Sequence, residues 1–409
     1  MAFESVLAQN LGAKARAVFE QPLDSGRQVI DDESSELGVA LGHLAYIVLA
    51  GWERPDVPAG EREGAAGLAP LLEQNDIDTL FGCSERCCEP AEARSGDDHG
   101  GGVGQGGKGG LHGEPLYDIF YFVRFVRFKD GGSVRLGALA DGGVADLSAA
   151  GLPTSVEDLL RSGADWQQRA TDAMSSAVRV EQEVQLLSPV ARPSKILCLG
   201  MNFRSHSDEV GVDGEAEEPT VFSKLASSLT GPSDPIVLPS EAPDRVDYEA
   251  ELAVVIGRGG RDIPVERAAD WVAGYTVAND VSARDWQLKK PLGQWLLGKS
   301  FDTFLPFGPA VVTSEESPAP DEMVVRCVVS GEVLQEASVA DLIVGIPEAI
   351  SYVSRVCTLE PGDVILTGTP GGVGMARKPR RFLGSGDVVE TSVSGIGVLR
   401  NPVTTAAAA

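Results

Sequence analysis

The sequence predicts an α+β protein that is mainly β. Three observations carry this expectation. Residues 121–147 are dense in aromatic and β-branched side chains, interrupted by an Asp-Gly-Gly turn at 130–132. From residue 195 onward, short apolar strands alternate with short helical segments. Between residues 95 and 113, ten of nineteen residues are Gly, and this break separates both regions from an acidic N-terminal part. At 409 residues the chain is long enough for two or three domains, and its 43% hydrophobic and 23% charged content is ordinary for a globular protein.

The elements follow in order. Residues 1–115 hold 20 acidic and 8 basic residues, a net −12 of the chain's −26, with one helix expected near 37–50 and no readable motif. They are expected to form an acidic, Gly-rich N-terminal extension, partly disordered, because a half-Gly stretch has too little apolar surface to offset its ordering entropy. Residues 116–190 are expected to form a small β domain, with strands near 121–128, 134–139 and 144–147. A helix over 156–177 follows, capped by Ser155 with Asp158 three residues on, and broken near Gly163. Residues 191–403 make the larger domain, with strands near 196–199, 252–256, 275–278, 364–367 and 388–393. Pro264 opens a short helix ending before Gly274, and Pro347 sits in the first turn of a helix reaching residue 356. Residues 404–409 are read as a tail.

Composition excludes several functions. With 34 basic against 60 acidic residues, the chain repels a phosphate backbone, so no nucleic-acid partner is expected. The basic cluster Arg377, Lys378, Arg380 and Arg381 is short and proline-broken, and reads as a solvated loop. No uncharged apolar run of about 18 residues occurs, and the most apolar stretch, 38–52, contains His43, so no membrane partner is expected. The first twenty residues resemble no secretory leader, which makes the expected address cytoplasmic, with a mitochondrial one left open. Six cysteines are too few for a disulfide scaffold; Cys198, Cys327 and Cys357 read as small core residues. Cys83, Cys87 and Cys88 with His99 and His112 match no common zinc spacing. Residues 102–107 formally fit a dinucleotide fingerprint and 102–108 nearly a phosphate loop, but the flanking strand and helix are missing and Gly109 stands where a magnesium-binding hydroxyl belongs.

The chemistry concentrates elsewhere. In Tyr248-Glu249-Ala250-Glu251-Leu252-Ala253-Val254 side chains alternate faces, so Glu249 and Glu251 point the same way beside an apolar run. Either something positive sits between them, for which a hard divalent cation suffices, or this is an edge strand with solvated glutamates. Asp280 ends the strand at 275–278 and offers a third carboxylate, before a polar turn with Ser282, Arg284, Asp285 and Gln287. Three carboxylates plus three further oxygens make an octahedron suited to Mg²⁺ or Mn²⁺, whereas zinc favours His or Cys. Lys299, in an aromatic-flanked stretch, either faces this charged site or is a surface lysine. His206 and Glu209 share a helical face, as a general base with its orienting acid or as a surface pair. The loop from Gly368 and Thr369 to Gly374 is either an anion cradle or a tight turn.

Taken together, these segments resemble the fumarylacetoacetate hydrolase (FAH) superfamily. The matching pieces are Gly200-Met201-Asn202-Phe203 with His206 and Glu209; residues 219–224 with Ser228-Leu229-Thr230-Gly231-Pro232; Asp247-Tyr248-Glu249 with Glu251; and residues 274–287, 294–302 and 362–374. The runs at 223–228 and 375–379 look like the FAH domain-containing proteins of eukaryotes. Similarity spans roughly 121–403, and residues 1–115 match nothing in the pattern.

The resemblance implies the FAH catalytic fold, a mixed β-sandwich roll preceded by a small β domain, working as a homodimer. It further implies Glu249, Glu251 and Asp280 as Mg²⁺ or Mn²⁺ ligands, His206 and Glu209 as base and partner on a mobile lid, Lys299 as a substrate-stabilising cation, and Arg284, Gln287 and Thr369 as substrate contacts. Such a site chelates a small anionic 2-oxo acid and stabilises an enolate. The expected reaction is hydrolysis of a C–C bond in acylpyruvate-like or other β-diketo or 2-oxo acids. The alternatives are oxaloacetate tautomerisation or decarboxylation on the same scaffold, and a non-catalytic binding scaffold.

Overall fold

The computed structural model describes residues 123–140, 143–180, 183–211 and 218–406. The expected helix at 37–50, the Gly-rich segment, the Cys83 cluster and the two nucleotide-loop look-alikes lie outside these residues.

The fold is mainly β, as expected, and is built on a twelve-stranded sheet. Along its path the strands run Val178–Val180, Gly143–Asp146, Ser133–Ala140, Arg124–Asp130, Leu305–Thr313, Val272–Asn279, Ala250–Ile256, Val364–Leu366, Ile196–Gly200 and Thr220–Ser223. A second sheet of five strands runs Glu332–Ser338, Val324–Val329, Val388–Val393, Gly397–Thr405 and Ile236–Leu238. Pairing is antiparallel except where Val364–Leu366 meets Ile196–Gly200, where Gly397–Thr405 meets Ile236–Leu238, and where Leu305–Thr313 meets Leu229–Thr230.

Two pairings cross the expected domain boundaries. Arg124–Asp130 pairs directly with Leu305–Thr313, so strands on both sides of residue 190 share one sheet. Thr404 and Thr405, read as the start of the tail, pair with Val237 and Leu238. Ser155 caps Val156–Arg161 by accepting the Asp158 N–H, and Gly163 at φ +144° separates that helix from Trp166–Ser176.

Ala250–Ile256 and Val272–Asn279 are buried at every residue, which explains their nearly uninterrupted apolar sequence: both faces of these strands are covered. The faces sort by parity. Leu252, Val254 and Ile256 pack with Val325, Val329, Val389 and Leu399 of the second sheet. Ala253 and Val255 pack with Phe125, Leu136, Trp166 and Val311 on the opposite side. Cys198, Cys327 and Cys357 are free thiols, the first two buried in core and Cys357 only half-buried. Among the described residues no helix is long and apolar enough to cross a membrane.

Candidate active site

The register of two strands assembles the acids. Glu251 stands opposite Ala278 and Ala250 opposite Asn279, so the next step places Glu249 opposite Asp280, whose N–H donates to the Glu249 carbonyl at 2.8 Å. Residues opposite one another point to the same face, and so do residues two apart. Glu249, Glu251 and Asp280 therefore share one face, and all three are buried. Each offers an oxygen such that the three atoms lie within 4.8 Å of one another. That compactness and the all-oxygen donor set fit one hard divalent cation.

Three buried cations offset these acids. Lys299 Nζ lies 2.6 Å from Glu249 Oε2 and 2.8 Å from Asp280 Oδ2. Lys224 Nζ donates to Asp280 Oδ1 at 2.7 Å, to the Val281 carbonyl at 3.3 Å, and to the Lys299 carbonyl. Arg284 donates through Nε to Asp247 Oδ2 at 2.9 Å and through Nη1 to Gln287 Oε1 at 2.8 Å. Its Nη2 lies 2.7 Å from Glu249 Oε1, a close ion pair whose angle falls short of a hydrogen bond.

The two glutamates are driven apart electrostatically. Burial alone would raise the Glu249 carboxyl, but Lys299 and Arg284 hold it well below the usual carboxylate range. Glu251 is raised, by burial first and then by the negative charge of Asp280 and Glu249. Lys299 is held above its ordinary value because Asp280 and Glu249 outweigh its burial.

His206 and Glu209 lie on the helix Arg204–Val210, with His206 Nδ1 3.7 Å from Glu209 Oε2. That separation is beyond a hydrogen bond, and the buried Nδ1 has no hydrogen-bond partner. Glu209 instead accepts the Gly372 N–H at 2.9 Å. Burial would raise its carboxyl, but the imidazole and that N–H hold it low, so it is a carboxylate at neutral pH.

The glycine-rich loop does approach anions, but they are the protein's own. The Gly368 N–H donates to Glu251 Oε2 at 2.7 Å and the Gly374 N–H to Asp247 Oδ1 at 2.7 Å, beside the Gly372 bond to Glu209. Glycine is required here: Gly372 has φ +103°, and a Cβ on it would collide with the Leu334 carbonyl. Thr369, expected as a substrate contact, has its hydroxyl engaged within the protein: it donates to the Ala250 carbonyl at 3.0 Å while its oxygen accepts from Gln335. The basic cluster is also more than a solvated loop, since Arg381 pairs with Asp387 at 2.6 Å and Arg377 with Glu332 at 3.3 Å.

Three residues escaped the sequence reading of the site. Lys224 is one. Asp247, fully buried, accepts from the N–H groups of Tyr248, Gly374 and Met375 and from Arg284. Gln335 is the third. The only sequence signal for Lys224 was a lone ammonium ending a short strand, and for Asp247 an acid next to an apolar run.

Comparison with known proteins agrees with this geometry. Residues 195–404 match the family described as fumarylacetoacetate (FAA) hydrolase, C-terminal. The chain is 46% identical over 69% of its length to a Xenopus laevis protein named oxaloacetate tautomerase fahd2, mitochondrial, and covers 90% of that protein. It is 45% identical over 64% of its length to the Homo sapiens oxaloacetate tautomerase FAHD2A, mitochondrial, covering 84% of it. Among solved structures, maleylpyruvate hydrolase from Sphingobium sp. SYK-6, in complex with manganese(II) and pyruvate, superposes with a TM-score of 0.58 at 30% identity, covering 69% of this chain and 100% of that one. These relatives are enzymes, so the reading as a non-catalytic scaffold is set aside. The chain belongs to the fumarylacetoacetate hydrolase family, with its FAH domain-containing proteins, and is an enzyme.

Proposed function

We propose that this enzyme is a divalent-metal-dependent oxaloacetate tautomerase. The observation that carries the reading is the convergence of Glu249, Glu251 and Asp280 on one buried point in a chain 45 to 46% identical to relatives named for that reaction. This reading takes precedence over the C–C hydrolysis expected from the sequence. Hydrolysis leans on His206 and Glu209 acting as a hydrogen-bonded pair to activate water, and their 3.7 Å separation gives that pairing little support.

Glu249, Glu251 and Asp280 would hold Mg²⁺ or Mn²⁺, which when bound supplies Lewis-acid polarisation of a 2-oxo acid. The chain's own groups do the rest. Arg284, held by Asp247, Gln287 and Glu249, would lend its positive charge to an incoming substrate carboxylate. Lys299 sets an ammonium where negative charge develops on the 2-oxo oxygen. His206 takes the proton from C3 as the enol forms and returns one to C3 as the ketone forms. In the enol direction the C3 proton passes to His206, a proton from water reaches the 2-oxo oxygen, and His206 gives its proton back to water, so no net proton is gained or lost. The relatives' names extend the reading to a mitochondrial address rather than the cytoplasmic one, which fractionation tests.

A second reading, hydrolysis of an acylpyruvate, keeps one specific support: the maleylpyruvate hydrolase likeness with pyruvate at hand. The purified enzyme, with Mn²⁺ or with EDTA, is mixed with oxaloacetate or an acylpyruvate, and enol absorbance, carbon dioxide and pyruvate are followed. Tautomerisation predicts EDTA-sensitive relaxation of the oxaloacetate enol signal without carbon dioxide or pyruvate release. Pyruvate released from the acylpyruvate, with no effect on oxaloacetate, would replace this reading with hydrolysis.

A further inference from the structure

The side-chain amide of Gln335 belongs to the second sheet but reaches into the first. Gln335 lies on Glu332–Ser338 and is buried. Its Oε1 accepts the Ala250 N–H at 3.0 Å. Its Nε2 donates to Thr369 Oγ1 at 2.7 Å and to the Pro370 carbonyl at 2.8 Å. These partners define the orientation of the amide, since only the oxygen can accept from Ala250 and only the nitrogen can donate to Pro370.

The ring closes through Thr369, whose hydroxyl donates to the Ala250 carbonyl at 3.0 Å. Ala250 is the residue between Glu249 and Glu251, so both of its backbone groups are tied to the Gln335–Thr369 unit. One residue further along the loop's start, the Gly368 N–H holds Glu251 Oε2 at 2.7 Å. Strand and loop are thus clamped together at the point where two of the three acids project.

We propose that Gln335 is a positioning residue for the acidic centre, setting the separation of Glu249 and Glu251 and the approach of the Gly368 N–H to Glu251. It touches no ligand oxygen and acts through Ala250 and Thr369. The proposal rests on the metal-centre reading above. Partners that orient metal ligands typically change metal affinity by about 10- to 100-fold when removed.

The test measures Mn²⁺ binding to the full chain by titration calorimetry and by the loss of the free-ion EPR signal, with melting in EDTA recorded in parallel. Gln335→Met keeps length and burial but removes every hydrogen bond of the amide. Thr369→Val breaks the same ring with Gln335 in place, and serves if the first variant does not fold. Each is expected to weaken Mn²⁺ binding by about 10- to 100-fold. Thr369→Ser, which keeps the hydroxyl, is expected to restore it, and the double variant to bind no worse than the weaker single one, because the two act as one unit. Wild-type Mn²⁺ affinity in both Gln335→Met and Thr369→Val, even with a lowered melting temperature, overturns the proposal and leaves the metal centre standing. Absence of Mn²⁺ binding by the wild type overturns both.

Discussion

The Lys299 ammonium lies 2.6 Å from Glu249 Oε2, inside the cluster of acids rather than at its rim. With Lys224 on the other oxygen of Asp280 and Arg284 against Glu249, the buried negative charge is met by buried positive charge before any ion or substrate arrives. Burying charge is tolerable only when it is paired and hydrogen-bonded. The arrangement therefore serves stability as well as chemistry, and the two roles can be separated.

Lys224 is read first as a stabilising residue, because its ammonium is fully buried among three protein oxygens. Lys224→Met leaves Asp280 Oδ1 buried without its partner, which costs about 3 to 5 kcal/mol. Denaturant unfolding in EDTA reads that loss. Adding Mn²⁺ is expected to recover part of it, since a cation among the acids replaces the missing charge; an equal deficit with and without Mn²⁺ contradicts this.

In the proposed reaction His206 carries the proton. Its Nδ1 is buried without a hydrogen-bond partner, so removing the ring disturbs few packing bonds. His206→Asn is expected to lower kcat for oxaloacetate tautomerisation by about 10²- to 10⁴-fold, the usual contribution of general acid–base catalysis, with a smaller change in KM. Enol absorbance gives both constants, and an unchanged kcat removes His206 from the reaction.

Asp387 carries a pH-dependent share of stability far from the acids. Burial pushes its carboxyl up, but Arg381, the Gly384 N–H and the Ser330 hydroxyl outweigh it and hold the group below its ordinary range. A depressed folded value means the stabilisation is present above the unfolded pKa of about 3.9 and is lost as pH falls through the folded value. Asp387→Asn is therefore expected to cost roughly 1 kcal/mol or less at pH 7, since solvent screens this partly exposed pair. Melting from pH 7 downward should show that deficit shrinking in acid, and a constant deficit refutes the assignment.

What the sequence made legible is local. The parity of Glu249 and Glu251 beside an unbroken apolar run implied a shared face, and the two covered faces of Ala250–Ile256 explain why the run is unbroken. The helix break at Gly163 and the cap at Ser155 were legible for the same reason, since their partners lie within a turn. The rest depends on distant segments. Lys224 meets Asp280 across 56 residues and Gln335 meets Ala250 across 85, so neither could be paired from spacing. The joining of Arg124–Asp130 to Leu305–Thr313 is of the same kind: strand order in a sheet leaves no local trace. Thr369 shows the converse, a hydroxyl whose type was suggestive and whose proton is already committed.

Gly372 joins loop geometry to the helix Arg204–Val210. Gly372→Ala places a Cβ against the Leu334 carbonyl at a backbone angle that L-residues rarely adopt, and is expected to cost more than about 1 kcal/mol. Because the same N–H holds Glu209, the variant should also lose activity beyond what its melting temperature explains. Activity retained in full at a temperature where the protein is folded argues against that coupling.

The central claim is that Glu249, Glu251 and Asp280 together hold one divalent cation. Anomalous diffraction from crystals of the full-length enzyme soaked in Mn²⁺ tests it most directly. The account predicts a single strong manganese peak within coordination distance of all three carboxylates, absent in Asp280→Asn crystals. A peak elsewhere with these acids still paired to Lys299 and Arg284, or a peak that persists unchanged in Asp280→Asn, would contradict it.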